Sequence, residues 1–534
     1  MLERRSAIIY FLVVSLFMTS VVRLLLLSQN TEIQAAANQN RMRVSLPVQR
    51  KTIYDCNLEP LTNTDTQYVA AVPPTDKAKE AILKFFPKEE ADNAISRLNS
   101  GFPILINVPE NFKADDIPCF PVKKRYSQNQ IAPHVIGYLD GNNRGVSGIE
   151  SGYDDLLTPE NQPAVIFMSD AKGNVLSGIP PALENADSNI NRGIALTINK
   201  ELQQIAEASA KKYIESGAVI VLENKTGKIR ALSSLPDFSP NNLAESINSA
   251  SSPLINRAIS AYNIGSVFKL CVAAAALESG EPETTEYKCD GIMSFADRTF
   301  RCMDHQNHGN VKMVDSLVQS CNIYFINLGQ KIGADPIYNL AKSFGFGQSR
   351  QPCRGIVPDS GVLSNIDKLK QQPSALANFS FGQGDLMATP LQIAEMIAAI
   401  ANSGKAITPS LIEGTVGNDG KIDNQTPESV PANVMSKSTA DRLKDIMIHV
   451  VESGSGKNAQ PLFGGAGGKT GTAETGWVKN GKNISQAWFA GFYPANDPVY
   501  SIVVIIEDGV SGGWSSAPVF KEIADGIYAQ GLLP

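Results

Sequence analysis

Three short polar segments of the chain contain residue types that could carry out acyl transfer. They are Ser266-Val267-Phe268-Lys269, Ser320-Cys321-Asn322 and Lys469-Thr470-Gly471-Thr472, in this order. A serine hydroxyl is a weak nucleophile until a neighbouring base removes its proton, and a desolvated lysine amine can be that base. The serine and lysine of the first segment are therefore candidates for a nucleophile and its base.

The same short patterns recur elsewhere, so local context has to select among the copies. Another Ser-x-x-Lys occurs at 169–172, another Ser-x-Asn at 239–241 and another Lys-Thr-Gly at 225–227. The first of these copies lies in a polar turn, and the third lies in the tight turn of a predicted hairpin, where turn formation explains its residues. Neither context implies a catalytic geometry.

The first segment is predicted to begin a buried helix. Ser266 follows Gly265, and an alanine-rich apolar run continues to Leu277 with Gly280 as a stop signal. Such a helix places Lys269 one turn after Ser266 on the same face, with the serine at the positive end of the helix dipole. From these residues alone, a serine N-cap followed by a surface lysine is an equal alternative.

The second and third segments are predicted to lie on a helix and on an edge strand. Ser320 and Asn322 fall within 314–328, which has helical character, and a polar or capping position would explain both. Lys469 follows the glycine-rich stretch 464–468. An edge strand that contains glycine lets another backbone approach, and an extended peptide can add to it as a further strand. Lys469 and the threonine hydroxyls after it would bind a terminal carboxylate.

The region that contains all three segments, 194–534, is predicted to form one larger α/β unit. Hairpins account for most of its predicted strands, which are 217–222 paired with 228–233 and 486–493 paired with 499–507. A final helix is predicted over 517–528. The polar, turn-rich stretch 185–193 is a plausible domain boundary.

The N-terminal residues predict a membrane anchor. Arg4 and Arg5 precede an apolar run from Ala7 to Leu27, about the length that spans a hydrocarbon core as a helix. The positive charges predict that the short tail stays in the cytoplasm and that the chain after it is exported. Residues 35–37 are all alanine and resemble a cleavage site, so a removed signal peptide is the alternative. The length of the apolar run favours the anchor.

Overall composition argues against nucleic acid as a partner. The net charge is −6, and the chain has no long basic run. Its 534 residues allow two or three domains, and a hydrophobic fraction of 43% is ordinary for a globular protein.

Together the three segments resemble the signature of the penicillin-binding protein and serine β-lactamase superfamily. Their spacing is similar to that of the high-molecular-weight, class B penicillin-binding proteins. Further likeness to that class lies in Arg257-Ala258, Tyr262, Gly265-Ser266, Gly382-Gln383-Gly384, Thr389-Pro390-Leu391-Gln392, His134-Val135-Ile136-Gly137, Gly148-Ile149-Glu150 and Tyr153-Asp154. Two departures stand out: Ile264 replaces a proline that is usual before the Gly-Ser pair, and 50–58 lacks the glycines of the usual N-terminal motif.

The resemblance implies a fold and a domain order. It implies an α/β, β-lactamase-like transpeptidase domain over 194–534, with an antiparallel sheet flanked by helices. A mixed α+β, non-catalytic N-terminal domain of the dimerisation or pedestal type would occupy 46–190. Residues 1–28 would be the cytoplasmic tail and transmembrane helix, and 29–45 a stalk.

The resemblance also implies a role for each site residue. Ser266 would attack the carbonyl of a D-Ala-D-Ala stem peptide, and Lys269 would accept its proton. Ser320 would relay a proton to the departing D-alanine, while Asn322 would hold the substrate amide. The oxyanion hole would consist of the backbone N–H groups of Ser266 and Thr472. Lys469, Thr470, Gly471 and Thr472 would bind the substrate.

The implied activity is peptidoglycan cross-linking, with β-lactams as acylating inhibitors. A glycan polymerase and divisome or elongasome proteins are the expected partners, together with the membrane. A D,D-carboxypeptidase differs only in using water as the acceptor, and a serine β-lactamase needs a water-activating group that has no convincing candidate here. A non-enzymatic β-lactam sensor or wall-binding scaffold is the alternative of another class; the intact Ser266, Lys269 and Lys469 count against it.

Two cysteines and two histidines lie close together in the sequence: Cys289, Cys302, His305 and His308. Their spacing is irregular for zinc, so a disulfide, free thiols or simple packing are favoured, and a disulfide is compatible with export. His308-Gly309 is similar to a family feature, which also favours a structural role. No metal or cofactor is expected, and His134 and His449 are predicted to be structural.

Overall fold

The computed structural model describes residues 2–28, 40–176, 178–185, 190–479 and 482–533. By its internal contacts the chain divides into two units. The first comprises Met1–Arg50, Asp65–Arg125 and Pro159–Asn189, and the second comprises Lys51–Thr64, Tyr126–Thr158 and Ile190–Pro534. Parts of the chain before residue 190 are thus built into the second unit. The domain boundaries given above stay a prediction.

The first unit combines a long apolar helix with a mixed α+β region, as predicted. The helix runs from Leu2 to Ser28, and its stretch Ser6–Leu26 is long and apolar enough to cross a membrane. Two three-stranded sheets follow, with strand orders Arg41–Ser45, Ala164–Met168, Ala182–Glu184 and Ile104–Val108, Thr66–Val72, Cys119–Lys123. The described residues of this unit also form the helices Asp76–Phe85 and Lys88–Leu98.

The second unit is organised around an antiparallel five-stranded sheet. The strand order is Ile229–Leu235, Gly217–Glu223, Tyr500–Ile506, Lys482–Tyr493 and Gly467–Lys479. The predicted hairpins are confirmed, and the strand that begins at Gly467 is an edge of the sheet, as predicted. We call Gly467–Lys479 the edge strand.

Both faces of this sheet are buried, because its strand side chains alternate between two apolar cores. Val219 and Val221 pack with the helices Lys200–Tyr213 and Ala517–Ala529. Ile220 and its alternate neighbours belong to the other core, which contains the three helices Lys269–Glu278, Pro390–Ala401 and Lys437–Glu452. The predicted fold class, an antiparallel sheet flanked by helices, is confirmed.

Smaller elements complete the second unit. A four-stranded sheet has the order Ile422–Gln425, Ile412–Val416, Gly193–Leu196, Thr52–Tyr54. Tyr287–Cys289 pairs with Gly309–Val311, and the short hairpin of Ile292–Phe295 with Arg298–Arg301 lies between these two strands in the sequence. The remaining helices are Pro133–Ile136, Gly148–Gly152, Asp154–Leu157, Leu243–Ile247, Met313–Val318, Asn322–Ile332, Ala334–Ser343, Ile366–Gln371 and Pro373–Ser380.

Candidate active site

Two buried lysines bring the three predicted segments together at one hydroxyl. The Lys269 amine donates to the Ser320 hydroxyl at 3.3 Å, to the Ser320 carbonyl at 2.8 Å and to Asn322 Oδ1 at 2.7 Å. The Lys469 amine donates to the same Ser320 hydroxyl at 3.0 Å and to the carbonyl of Thr470 at 3.1 Å. Ser320 therefore lies between two amines that come from separate elements of the fold.

Burial makes these amines poor at holding a proton. Both lysines are 0% exposed, and transfer out of water disfavours the charged form. Burial lowers the pKa of Lys269 to about 8. The pKa of Lys469 is lowered well below its usual value, first by burial and then by the neighbouring charge of Lys269. A neutral amine that can accept a proton is thus available near physiological pH.

Ser266 lies on a tight turn directly before the helix that carries Lys269. The turn is a 3₁₀ helix, Gly265–Phe268, and the α-helix begins at Lys269, so the predicted helical start is confirmed. Ser266 is partly exposed, and among the described residues its hydroxyl has no hydrogen bond. The position agrees with a nucleophile that a substrate can reach.

Glycines allow this turn to approach its neighbours. Gly265 has φ +64°, and a β-carbon there would lie 2.8 Å from the carbonyl oxygen of Thr472. A β-carbon on Gly471 would lie 2.9 Å from the carbonyl oxygen of Ile264. Because real β-carbons do not approach backbone atoms so closely, only glycine fits at these positions. The turn that carries Ser266 therefore abuts the edge strand at the third segment.

The segment Gly382-Gln383-Gly384 supports the same turn from another side. The N–H of Gly265 donates to the carbonyl of Gly382 at 3.0 Å. A β-carbon on Gly382 would lie only 1.9 Å from the carbonyl oxygen of Gly265. Gly382 is thus required because only glycine leaves room for the backbone of Gly265, which directly precedes Ser266.

Ser320 interrupts what the sequence predicted as one helix over 314–328. The structure has two helices there, Met313–Val318 and Asn322–Ile332, and that prediction of continuity is wrong. Ser320 has φ +59°, a left-handed conformation that helices exclude for L-residues. This break turns the Ser320 hydroxyl towards the two lysines.

Asn322 is held by a backbone contact at the end of the strand Arg298–Arg301. Its Nδ2 donates to the carbonyl of Arg301 at 2.8 Å, while its Oδ1 accepts from Lys269. Arg301 was not a predicted site residue, since its carbonyl rather than its side chain makes the contact. A backbone contact of this kind leaves no signal in side-chain patterns.

The edge strand presents the third segment with its hydroxyls already positioned. Thr470 is buried, and its hydroxyl lies 2.9 Å from that of Ser455. Thr472 is partly exposed and accepts from the N–H of Gly512 at 3.3 Å. Sequence reasoning missed Ser455, which lies in a turn, and Gly512, which begins the short π-helix Gly512–Ser516; neither segment has a recognisable sequence pattern.

The second copy of Lys-Thr-Gly has the surroundings that its turn context predicted. The Lys225 side chain is 70% exposed and forms a 3.7 Å ion pair with Asp497. It therefore lacks the burial that distinguishes Lys469.

Of the histidines predicted to be structural, His134 bonds to the carbonyl of Pro253 at 2.7 Å, and burial lowers its pKa to about 4.

A cluster of thiols and one imidazole adjoins the second segment. Its members are Cys289, Cys302, His308 and Cys321, whose ligand atoms all lie within 4.8 Å of one another. His305, expected in this group from the sequence, is not among them, and Cys321 takes its place. All seven cysteines of the chain are free thiols. We call these four residues the thiol cluster; three sulfurs and one nitrogen form a donor set that suits zinc.

Comparisons with known proteins agree with this geometry. A family model described as "Penicillin binding protein transpeptidase domain" matches residues 217–525. The peptidoglycan D,D-transpeptidase MrdA of Acinetobacter baumannii is 28% identical over 92% of this chain and 82% of its own length. The peptidoglycan D,D-transpeptidase PbpA of Mycobacterium tuberculosis is 32% identical over 65% of this chain and 73% of its own.

Solved structures show the same fold. A penicillin-binding protein (PBP2) from Helicobacter pylori, solved in complex with MreC, superposes with a TM-score of 0.68. It covers 92% of this chain at 22% identity and is itself covered completely. The likeness therefore extends over both units of the chain.

Proposed function

The chain belongs to the penicillin-binding protein transpeptidase family, class B, and is a peptidoglycan D,D-transpeptidase; from this premise we propose that Ser266 is its nucleophile and Lys269 the base. The observation that carries the proposal is the meeting of Lys269 and Lys469 at the Ser320 hydroxyl. It links three distant segments into one proton-transfer path. The partly exposed Ser266 lies on the turn that precedes Lys269.

In the acylation step, Ser266 Oγ bonds to the carbonyl carbon of the penultimate D-alanine. Its proton passes to neutral Lys269, and a proton passes through Ser320 to the nitrogen of the terminal D-alanine, which leaves as the C–N bond breaks. The product is an ester on Ser266. Apo-enzymes often lack fully formed catalytic hydrogen bonds, which tighten when substrate binds; the absence of a Ser266–Lys269 bond is compatible with this step.

The oxyanion of the tetrahedral intermediate would be stabilised by the backbone N–H groups of Ser266 and Thr472. The close approach of Gly265 to the Thr472 carbonyl supports this assignment, because it brings the two backbones side by side. Donors fixed before the reaction need no reorganisation as charge develops.

Substrate binding is assigned to the edge strand. An extended stem peptide would add to it as a further strand, with Gly471 permitting a close backbone approach. The partly exposed Thr472 hydroxyl would contact the terminal carboxylate, with Thr470 and the amine of Lys469 behind it. Asn322 would hold the substrate amide.

The ester would then be resolved by the amine of a neighbouring stem peptide, which completes the cross-link. Transfer to water would make the chain a carboxypeptidase or a β-lactamase. The buried glutamates between the second and third segments are Glu395 and Glu413. Their carboxylates are held in ion pairs, Glu395 with Arg350 and Glu413 with Lys228. Because both carboxylates are paired with cations, neither is assigned as a water-activating group, which counts against the β-lactamase alternative.

The apolar helix Ser6–Leu26 is assigned as a single membrane anchor, with the catalytic unit outside the cytoplasm. Of the predicted stalk 29–45, residues 29–39 lie outside the described residues, and Arg41–Ser45 is a strand of the first unit. Residues 46–190 are assigned as a non-catalytic domain. A separate glycan polymerase and proteins of the elongation or division machinery would be the partners. The structure of the H. pylori protein in complex with MreC supports the expectation of a protein partner.

Labelling with a fluorescent penicillin tests the nucleophile. The full-length protein in detergent is expected to be labelled, and Ser266→Ala is expected to abolish labelling. Ser169→Ala, in the second Ser-x-x-Lys copy, is the matched control and is expected to be labelled like the wild type. Persistent labelling of Ser266→Ala, or its loss in Ser169→Ala alone, would overturn the assignment.

A further inference from the structure

A short hairpin beside the second polar segment has one face in the core and the other in solvent. Its strands are Ile292–Phe295 and Arg298–Arg301, and successive side chains along a strand lie on opposite faces. Phe300 is 6% exposed and packs edge-to-face with Phe381 at 6.1 Å. The side chains on the other face are all exposed, and they are Ile292, Ser294, Thr299 and Arg301. We call these four residues the open hairpin face.

The hairpin is packed on the helix that begins at Asn322. Its residue Phe300 forms a small apolar cluster with Ile326 and Ala377, and Ile326 lies on that helix. Nδ2 of Asn322 itself donates to the carbonyl of Arg301 at 2.8 Å. The backbone of Arg301 is therefore held one hydrogen bond from a residue that is assigned to substrate binding.

The guanidinium of Arg301 has no partner among the described residues. It is exposed, and it forms neither an ion pair nor a hydrogen bond within the part of the chain that the structure describes. By contrast, the exposed Arg43 and Arg354 each meet a carboxylate, at 3.4 and 3.0 Å. A guanidinium presents its donors in a planar fork that matches a carboxylate. Arg301 is thus available to bind a carboxylate that another molecule supplies.

The chemistry of the second half-reaction indicates which molecule that is. In the proposed function the donor peptide lies along the edge strand, and the nitrogen of its terminal D-alanine leaves beside the Ser320 hydroxyl. By microscopic reversibility, the incoming amine approaches the ester along the path by which that nitrogen left. The acceptor therefore enters beside Ser320 and passes Asn322, the residue that Arg301 adjoins.

We infer that Arg301 binds a carboxylate of the acceptor stem peptide and so selects which peptide receives the acyl group. The inference rests on the proposed function, because it assigns the second substrate of the same site. In the transfer step the acceptor nitrogen bonds to the acyl carbon, the C–O bond to Ser266 breaks, and a proton from the amine returns to Ser266 Oγ.

The geometry also indicates which carboxylate of the acceptor Arg301 binds. A carboxylate next to the acceptor amine would take the place that the carboxylate of the departing D-alanine had at the edge strand. Arg301 is left for a carboxylate farther along the peptide. On the open hairpin face, Ile292 lies opposite Arg301 in register and offers an apolar surface to the chain between the two carboxylates.

Transfer assays with two paired acceptors test the inference on the full-length protein in detergent. The donor is a synthetic stem pentapeptide that ends in D-Ala-D-Ala. The acceptors are two synthetic tripeptides with the same amine-bearing third residue. Their second residue is a glutamate linked through its side chain, and its α-carboxyl is free in one tripeptide and amidated in the other. The wild type is expected to have a KM about tenfold lower for the free acid than for the amide, since a charge-assisted hydrogen bond distinguishes them.

Three variants separate carboxylate binding from a structural role of the hairpin. Arg301→Gln is expected to raise the KM for the free acid about tenfold and to remove the preference over the amide. Arg301→Lys keeps the positive charge and is expected to retain part of the preference. Arg298→Gln is the matched control and is expected to keep all of it, because Arg298 is exposed on the same strand but lies outside the open hairpin face. Rates are expressed per molecule that benzylpenicillin acylates, which corrects for misfolded protein.

Several results would overturn the inference. These are an equal KM for the two acceptors in the wild type, a preference that survives in Arg301→Gln, and a preference that is lost equally in Arg298→Gln. A loss of the same size for both acceptors in Arg301→Gln would also overturn it, because Arg301 would then act only through the position of Asn322.

Failure of the inference is distinguishable from failure of the proposed function. A wild-type protein that benzylpenicillin acylates but that transfers the donor only to water would overturn the inference and leave Ser266 as the nucleophile. A wild-type protein that benzylpenicillin does not acylate would refute the proposed function itself.

Discussion

Two groups of buried charge in the catalytic unit are treated in opposite ways. Arg350 meets the carboxylate of Glu395 at 3.1 Å, so the buried Glu395 has a partner of opposite sign. Lys269 and Lys469 are more deeply buried, yet among the described residues no carboxylate lies within ion-pair distance of either, and both face one serine hydroxyl.

The free-energy cost of burying a charge explains why the presence or absence of a partner matters. A buried charge without a partner destabilises a fold, so buried ions are usually paired. Burial lowers this cost for the two lysines by favouring their neutral amines, and a neutral amine is the form that can accept a proton as a base. Paired burial therefore indicates a structural role, and unpaired burial of two amines indicates chemistry.

The largest expected effect follows from removing the amine that is proposed as the base. Lys269→Ala is expected to slow penicillin acylation by about 10³-fold, within the range found for general bases. Lys269→Arg is expected to be equally slow, because a guanidinium keeps its proton. The second-order acylation rate measures this, with Lys225→Ala as the exposed control. An acylation rate within threefold of wild type in Lys269→Ala would contradict a catalytic role for the unpaired lysine and so its distinction from the Arg350–Glu395 pair.

The pH profile sharpens the comparison with a smaller effect. Acylation is expected to rise with pH and to level off above about 8, the pKa of buried Lys269, falling about tenfold for each pH unit below it because only the neutral amine accepts a proton. Between pH 8 and 10.5 the unfolded chain holds more protons at this lysine, so this group's contribution to stability rises with pH. A flat acylation profile between pH 6 and 9 would contradict the role of Lys269.

Disruption of the ion pair between Arg350 and Glu395 is expected to lower stability without changing the acylation rate. Arg350→Met leaves the Glu395 carboxyl buried without its partner and is expected to cost about 2 kcal/mol of unfolding free energy. The acylation rate per folded molecule is expected to stay within twofold of wild type. Thermal denaturation and the labelling rate, measured on the same preparation, check both parts. A tenfold slower acylation with unchanged stability would assign Arg350 to the catalytic machinery instead.

Much of the fold was predictable, because its central strands are hairpins with local turns. The edge strand followed from glycines next to a hairpin, and the start of the helix at Ser266 followed from an apolar run after Gly265. The order, spacing and local context of the three polar segments together selected them over their copies elsewhere in the chain.

Other features depend on contacts between distant residues and leave no local pattern. The left-handed Ser320 breaks a stretch whose side chains suit a helix, since tertiary contacts override helical propensity there. Cys321 joins Cys289 and Cys302 only after the second segment packs on the hairpins. His305 is a histidine, like His308, and lies three residues before it in the sequence, but it is not among the four residues of the thiol cluster. Close backbone approaches, such as Gly382 against Gly265, appear only in three dimensions.

Mass spectrometry of the acylated protein tests the central claim most directly. After reaction with benzylpenicillin and proteolysis, the peptide that contains Ser266 is expected to carry the mass of one intact penicillin, and fragmentation is expected to place it on Ser266 Oγ. Assignment of the adduct to Ser320, Ser169 or any other side chain would contradict the account.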